Sequence, residues 1–339
     1  MKYFTFKSSD AQNIIDESGN REYPFQRLPD KYKINVRKEV WSLSQNSAGL
    51  SIRFKTNSKK VIFKWSVKND FKMNHMTDAG IKGLDIYECV DNIWLYHSTG
   101  LPNASKSEHS IKFKNTNNKT LCLYLPLYDT ITDLKIGIDD FSSLTFMKNK
   151  NKPIVFYGTS ITQGGCASRP GMAHTNIISR NFAQPCINLG FDGNGHLEMN
   201  IGNILSKIDA SCYVIDCLPN VNINQLKSNI IPLVKSIRDI DKGYHCPIIF
   251  MEQPLIHDQY IDEDVKEKNN VLASQIKACN KLGFKEIYLI DQKDCLGSDH
   301  EATVDGVHYN DIGFQRFSEH IMKNIESILL IIILLRFEY

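Results

Sequence analysis

The feature that most constrains the fold is a change in the pattern of apolar and polar residues near Pro153. After this point, short continuous apolar runs alternate with longer amphipathic stretches, such as residues 223–240. Five runs have the length of strands and cover residues 154–157, 186–189, 213–215, 248–251 and 287–290. Runs without polar alternation are typical of strands that are buried on both faces. Strands that alternate with helices predict a parallel sheet with helices on both sides, so this half has an α/β fold.

The preceding half has a different pattern. Segments of strand length combine alternation with β-branched and aromatic residues, at 40–43, 50–54, 61–65 and 121–125. Clusters of Asn, Gly, Ser and Lys separate them, and no helical period persists. This pattern predicts a β-sandwich.

The predicted organisation therefore has three parts. Residues 1–150 form an N-terminal β-sandwich, and residues 151–325 form the α/β domain. Residues 326–339 form an apolar C-terminal tail, whose role the sequence leaves open. Within it, the run 328–335 is shorter than the roughly 20 apolar residues of a membrane helix, so no membrane partner is expected.

Composition narrows the classes of function. The chain has 339 residues, 42% of them hydrophobic, which is enough for a sizeable core. A formal net charge of +2 gives no electrostatic footprint for nucleic acid. The nine cysteines include no CxxC pair and predict reduced, mostly buried thiols. The N-terminus has no apolar stretch of signal-peptide length, so the chain as given is expected in the cytoplasm, or in the periplasm or outside the cell if the true start lies upstream.

The ends of the predicted strands carry polar residues and glycines. Sheets of this kind bind ligands beyond the carboxyl ends of their strands. The first strand leads into GTSITQG, in which the Ser160 hydroxyl is expected at the head of a sharp turn. The second leads into a glycine-rich segment whose backbone N–H groups, at Gly193 for example, can face a developing oxyanion. The third leads to Asn220, whose side-chain amide can donate to the same oxygen.

The last candidate is the pair Asp305 and His308, just before a helical stretch. Their spacing on a turn lets the carboxylate accept the imidazole Nδ1–H and fix its tautomer. Each candidate alone also fits an ordinary role, as a helix N-cap, a flexible turn, a turn Asn or a chance DxxH. The segment around Ser160 also differs from the GxSxG elbow of α/β-hydrolases, because Thr162 replaces the second glycine. Together, at one edge of one sheet, the four are far more specific.

This ordered set resembles the SGNH (GDSL-like) hydrolases, which are named for Ser, Gly, Asn and His in four sequence blocks. The similarity is closest to a two-domain subgroup, whose blocks resemble FYGTSITQGGCASRPGM, NLGFDGNG, DCLPN and DGVHYNDIG. GLDIY, residues 83–87, resembles the GxDLY signature of the subgroup's N-terminal domain. The resemblance implies a three-layer α/β/α, flavodoxin-like catalytic domain preceded by a jelly-roll-like β-sandwich.

The resemblance also implies the roles of the site residues. Ser160 is the nucleophile, His308 the general base and Asp305 its partner, while Ser160, Gly193 and Asn220 form the oxyanion hole. Two residues depart from the pattern, because Asp192 replaces a serine of the subgroup and Leu218 replaces a glycine of the wider superfamily. The negative charge of Asp192 destabilises the oxyanion if its side chain points into the site. It has no effect on the chemistry if the side chain points outward.

The expected function is that of a serine esterase acting on small acyl esters, acetyl esters of a sugar in particular. No metal or organic cofactor is expected, and the histidines show no HExxH spacing. Two alternatives stay open: an acyltransferase with the same triad, and a decayed carbohydrate-binding protein, which only Asp192 supports. The sequence does not determine the oligomeric state.

Four further residues have weaker predicted roles. Arg169 either binds a substrate oxygen or anchors its own loop. His75 either leans into the mouth of the site or packs within the first domain. His174 and His196 are predicted to be structural or to lie on helix surfaces, since neither has an acidic neighbour.

Overall fold

The computed structural model describes residues 1–238, 246–256 and 259–337. Nine strands precede Pro153: β1 (Lys2–Thr5), β2 (Ser51–Thr56), β3 (Lys60–Val67), β4 (Leu84–Val90), β5 (Ile93–Gly100), β6 (Lys106–Lys112), β7 (Lys119–Tyr124), β8 (Ile131–Ile138) and β9 (Leu144–Met147). Two short helices lie among them, α1 (Lys38–Ser44) and α2 (Asp78–Lys82).

The N-terminal strands form two antiparallel sheets, in the orders β1-β8-β3-β6 and β5-β4-β7-β2-β9. Alternate residues of each sheet point into one shared core, where Phe54 of β2 meets Phe63 of β3 edge to face, with ring centroids 6.5 Å apart. This arrangement is the predicted β-sandwich. The segments 50–54, 61–65 and 121–125 contribute to strands as predicted.

The prediction of a strand at residues 40–43 is wrong, because these residues lie in α1. Val40, Trp41 and Ser44 are buried, which is a helical spacing. Val40 and Trp41 pack into the core of the α/β half. Tertiary packing thus overrides the β propensity of these residues.

The α/β half consists of a parallel sheet and its covering helices. Its strands are β10 (Ile154–Gly158), β11 (Cys186–Gly190), β12 (Cys212–Asp216), β13 (Ile248–Met251) and β14 (Ile287–Ile290). Its helices are α3 (Ser160–Gln163), α4 (His174–Asn181), α5 (Met199–Leu205), α6 (Ile223–Arg238), α7 (Gln259–Lys281) and α8 (Asp311–Phe337). The last two residues of the predicted amphipathic stretch 223–240 lie outside the described residues.

The sheet order is β11-β10-β12-β13-β14, and all recorded pairs are parallel. Numbered within the sheet, this is the 2-1-3-4-5 order of flavodoxin-like folds. Val155 and Tyr157 of β10 face a core shared with α5, α6 and α7, whereas Ile154 and Phe156 face one shared with α4 and α8. Helices therefore cover both faces, as the sequence predicted for a three-layer α/β/α domain.

The two halves are joined by more than the connection between β9 and β10, where the proposed domain division falls. Leu28 and Tyr32 belong to the same core as β10 and β11. Arg27, only 2% exposed, donates to the carbonyls of Asn46, at 3.1 Å, and Gly190, at 2.6 Å. The packing of the first domain thus extends to β11, the strand beside β10.

The predicted C-terminal tail starts inside α8. Ile325 and Ile328 are buried, whereas Leu330 is 57% exposed. Residues 338 and 339 lie outside the described residues. Within the described ranges, none of the helices combines the length and the apolar character that a membrane crossing requires. All nine cysteines are free thiols, and eight of them are buried, as predicted.

Candidate active site

The candidate site lies where the strand order reverses, between β10 and β12. Gly158, at the end of β10, pairs with Gly190 of β11 and Asp216 of β12, so the three strands end level. Ser160 then opens α3 and is 6% exposed. A Cβ on Gly190 would lie 2.1 Å from the backbone nitrogen of Gln163, so only glycine lets α3 approach β11 this closely.

Ser160, His308 and Asp305 come together in one hydrogen-bonded chain. Ser160 Oγ lies 3.0 Å from His308 Nε2, and His308 Nδ1 lies 2.8 Å from Asp305 Oδ2. The other oxygen of Asp305 accepts the backbone N–H groups of His308, at 2.8 Å, and Val307, at 3.0 Å. Burial opposes ionisation of Asp305, but these hydrogen bonds outweigh it and lower its pKa to about 2. Asp305 thus offers a permanent carboxylate to His308.

The predicted oxyanion donors are the N–H groups of Ser160 and Gly193 and the side-chain amide of Asn220. Gly193 has a φ of 63°, which favours glycine, and a Cβ there would meet nothing within 4 Å. Asn220 accepts the Gly195 N–H through Oδ1 at 3.2 Å, which leaves its Nδ2 group to donate elsewhere. In the part of the chain that the structure describes, no acceptor is recorded for the N–H groups of Ser160 and Gly193 or for Nδ2 of Asn220.

The glycine-rich loop around Gly193 is held by residues that sequence reasoning missed. The Asp192 N–H donates to Gln163 Oε1 at 3.1 Å. Arg37 donates to the side chain of Asn194 at 2.8 Å and to its carbonyl at 3.2 Å. Gln163 lies in the nucleophile block and was open to identification there. Arg37 lies 157 residues from Asn194, and no local pattern marks it.

Asp192 lies near enough to His308 and His75 to interact with both rings electrostatically. It is half-buried, and burial raises its pKa, while the two rings oppose that rise. The charge of Asp192 therefore reaches the site, where it is expected to oppose a developing oxyanion.

The loop after α3 and the first domain form the other wall. Tyr128 donates to the Ser160 carbonyl at 3.4 Å. The His75 ring lies 5.4 Å from the His308 ring, which favours the position at the mouth of the site over packing within the first domain. Cys166 is 6% exposed, and burial, together with the negative charges of Asp305 and Asp192, raises its pKa to about 12. The sequence offered no reason to single out Cys166 or Tyr128.

Arg169 is engaged by the first domain. Its Nη1 lies 2.8 Å from Asp85 Oδ2 and 2.7 Å from the Tyr87 hydroxyl. Asp85 and Tyr87 belong to GLDIY, so this signature contacts the loop that follows Ser160 and α3. Of the two predicted roles for Arg169, the contacts favour the anchoring of its loop.

The two other histidines with predicted roles, His174 and His196, lie apart from the hydrogen-bonded chain of Ser160, His308 and Asp305. His174 is buried in α4 among Phe156, Phe314 and Phe317, and burial lowers its pKa to about 3. It is therefore structural, as predicted, and not on a surface. His196 lies before α5, outside any helix, and its Nε2 is 3.0 Å from the Gly193 carbonyl.

The fold and the site together define an SGNH-type ester hydrolase. Residues 151–326 match the GDSL-like Lipase/Acylhydrolase family, and residues 1–144 match the N-terminus of Esterase_SGNH_hydro-type. The chain belongs to the GDSL-like lipase/acylhydrolase family and is a carboxylic ester hydrolase.

Solved structures share this architecture. A GDSL-like lipase from Bacteroides ovatus is 32% identical with a TM-score of 0.90, and the match covers 97% of this chain and 98% of that one. The salicylyl-acyltransferase SsfX3 from a tetracycline biosynthetic pathway is 14% identical with a TM-score of 0.78, covering 96% and 97%. The acetyl xylan esterase Est2A from Butyrivibrio proteoclasticus is 12% identical with a TM-score of 0.59, covering 97% and 98%. No curated protein gives a significant match.

Proposed function

We propose that the protein hydrolyses small acyl esters, acetyl esters of a carbohydrate in particular, through an acyl-enzyme formed on Ser160. The observation that carries the proposal is the chain of hydrogen bonds from Ser160 Oγ through His308 to Asp305. Such a chain is the geometric requirement for an activated serine nucleophile. A decayed binding protein has no need to keep it.

In the proposed mechanism, His308 takes the Ser160 proton through Nε2 while Oγ attacks the ester carbonyl. Asp305 keeps the Nδ1–H tautomer and stabilises the imidazolium that forms. The N–H groups of Ser160 and Gly193 and the amide of Asn220 bind the oxyanion. His308 returns the proton to the leaving alcohol, and water, activated by the same ring, then releases the acid.

The preference for a short acyl group and for a sugar is supported by likeness of fold, since an acetyl xylan esterase shares the architecture.

The test is hydrolysis of p-nitrophenyl acetate, butyrate and octanoate by the wild type and by Ser160→Ala. We expect turnover to be highest on acetate and to fall by at least about 10³-fold in the variant. Ser228→Ala, which changes an exposed serine of α6, is the matched control and is expected to keep wild-type rates. Full activity of Ser160→Ala would overturn the nucleophile. Acetylated xylan and acetylated monosaccharides then test the carbohydrate.

A second candidate function, acyl transfer to an alcohol, is favoured by the likeness to the salicylyl-acyltransferase along nearly the whole chain. Both functions share the acyl-enzyme and differ in the nucleophile of the second step. The two are separated by adding a sugar alcohol during acetate turnover and measuring the ratio of new ester to free acid. For a hydrolase we expect free acid to dominate at millimolar acceptor. A product that is mostly ester would assign the protein to the acyltransferases.

A further inference from the structure

Three side chains of the kind that bind soft metal ions converge beside the nucleophile. One ligand atom from each of His75, Cys166 and His308 lies within 4.8 Å of the others. We propose that these three residues form an inhibitory site for zinc or a similar soft divalent cation, which competes with catalysis for His308. The inference rests on the proposed role of His308 as the general base.

The two histidines are oriented as metal-binding histidines usually are. His308 Nδ1 is 2.8 Å from Asp305 Oδ2, and His75 Nδ1 is 3.0 Å from Asn74 Oδ1. With Nδ1 donating to an oxygen, Nε2 of each neutral ring carries the lone pair. A carboxylate or carbonyl oxygen on the far nitrogen is the usual outer partner of a zinc-bound imidazole, where it fixes the tautomer and raises the basicity of the ligand.

Cys166 is held towards the same point by an unusual backbone. Its φ of 71° is in the left-handed region, which is unfavourable for a non-glycine residue and persists only where the surroundings impose it. The loop before it is fixed by the Gly165 N–H, which donates to the Ser160 carbonyl at 2.8 Å. A buried thiol is thereby placed within 4.8 Å of a ring nitrogen of each histidine, where a metal can displace its proton.

The charges around this cluster favour a cation. The groups that act electrostatically on Cys166 are two carboxylates, those of Asp305 and Asp192. Asp192 also interacts with His75 and His308. Without a metal, the two carboxylates repel the negative charge of a Cys166 thiolate. A bound divalent cation makes the metal–thiolate unit positive overall, so the same carboxylates stabilise it.

The ligand set selects the metal. Zinc binds thiolate at about 2.3 Å and imidazole at about 2.0 Å in a tetrahedron, so its ligand atoms lie about 3.5 Å apart. The cluster needs to close by roughly 1 Å to reach this geometry, and the exposed His75 side chain has the freedom to do so. Magnesium, which takes oxygen ligands, has no comparable set here.

Inhibition follows from the atom that the metal occupies. His308 Nε2, 3.0 Å from Ser160 Oγ, is the atom that receives the serine proton in the proposed mechanism. A metal ion on this lone pair excludes that transfer. With three protein ligands, the fourth position is left to water.

The first experiment measures zinc binding without reference to activity. Isothermal titration calorimetry of Ser160→Ala, which keeps all three ligands, is expected to give one site per chain. Adding Cys166→Ser is expected to weaken that site at least about 10-fold. Cys295→Ser is the matched control, because Cys295 is 5% exposed and Cys166 is 6% exposed, and it is expected to have no effect. Equal zinc affinity in the two cysteine variants would overturn the site.

The second experiment measures acetate turnover by the wild type with zinc and with magnesium. We expect zinc to inhibit, EDTA to restore the rate, and magnesium to have no effect. In His75→Ala, the inhibitory zinc concentration is expected to rise at least about 10-fold, each rate being compared with the same variant free of metal. Zinc that binds in the calorimeter but leaves turnover unchanged would overturn the inhibitory role. If Ser160→Ala still hydrolysed acetate, the nucleophile proposal would fail, yet the calorimetry would still decide the site.

Discussion

Asp85 of β4 receives two hydrogen bonds from the loop that follows Ser160 and α3, one from Arg169 at 2.8 Å and one from the Gly171 N–H at 2.7 Å. Asp85 is fully buried, and its second oxygen accepts from Thr99 at 2.7 Å. A strand of the first domain thus fixes the backbone that leads from α3 to α4. This contact gives the GLDIY segment a role in shaping the catalytic half.

We therefore expect Asp85→Asn to damage both stability and activity. The change removes the charge that compensates Arg169, and breaking a buried ion pair commonly costs about 3 to 5 kcal/mol. Thermal unfolding measures the first effect, and kcat/KM on the acetate ester measures the second. Glu88→Gln, a half-buried acid on the same strand, is the control and is expected to change stability by less than about 0.5 kcal/mol. Equal stability of the two variants would mean that Asp85 does not anchor the loop.

Asp192→Ser is expected to raise kcat at neutral pH. The Asp192 carboxylate interacts electrostatically with His308 and His75, so its charge is expected to oppose the oxyanion, and a charge effect of about 1 kcal/mol corresponds to roughly a fivefold gain. Burial raises the pKa of Asp192, so its charge is lost as the pH falls. The ratio of variant to wild-type kcat should therefore be largest at high pH and approach one in acid. Asp192→Asn separates charge from size, and a ratio that is independent of pH would contradict the charge argument.

The strands of the α/β half and the meeting of Ser160, His308 and Asp305 were predictable because their signals are local. A strand buried on both faces appears as a short apolar run, and all five such runs lie in strands of the parallel sheet. The site residues follow directly at strand ends, or occur as a pair three residues apart, as Asp305 and His308 do. Such signals need no knowledge of distant partners.

The contacts that support the site were not predictable in this way. Arg27, Arg37 and Arg169 each bind a partner in the other half of the chain, 163, 157 and 84 residues away in the hydrogen bonds described above. The sequence around an arginine in a loop does not indicate which distant carbonyl or carboxylate the side chain will bind. The prediction of a strand at 40–43 was wrong for the same reason. These residues form α1 because Val40 and Trp41 pack into the core of the α/β half, and the local sequence does not indicate that contact.

Asp216 is expected to make the stability of the protein depend on pH. It ends β12, is 6% exposed, and burial raises its pKa to about 7. Since its pKa in the unfolded chain is near 3.9, its contribution to stability is complete below about pH 4 and is lost as the pH rises through about 7. Asp216→Asn should therefore gain stability relative to the wild type between these pH values, by up to about 4 kcal/mol. Thermal unfolding at pH 4 to 8 measures this, with exposed Asp91→Asn as control. Parallel curves for Asp216→Asn and the wild type would show that Asp216 is ionised in the folded protein.

Asn220→Ala is expected to slow the enzyme without abolishing turnover. Loss of one oxyanion donor costs about 3 to 4 kcal/mol, or 10²- to 10³-fold in kcat, while the N–H groups of Ser160 and Gly193 remain. Because the donor acts mainly in the transition state, kcat should fall far more than KM changes. Asn220→Asp keeps the oxygen that accepts the Gly195 N–H but replaces the donor with a second acceptor that carries negative charge. It should therefore be slower than Asn220→Ala, although it differs less in shape. If Asn220→Asp were the faster of the two, the side chain would act through the Gly195 contact and not on the oxyanion.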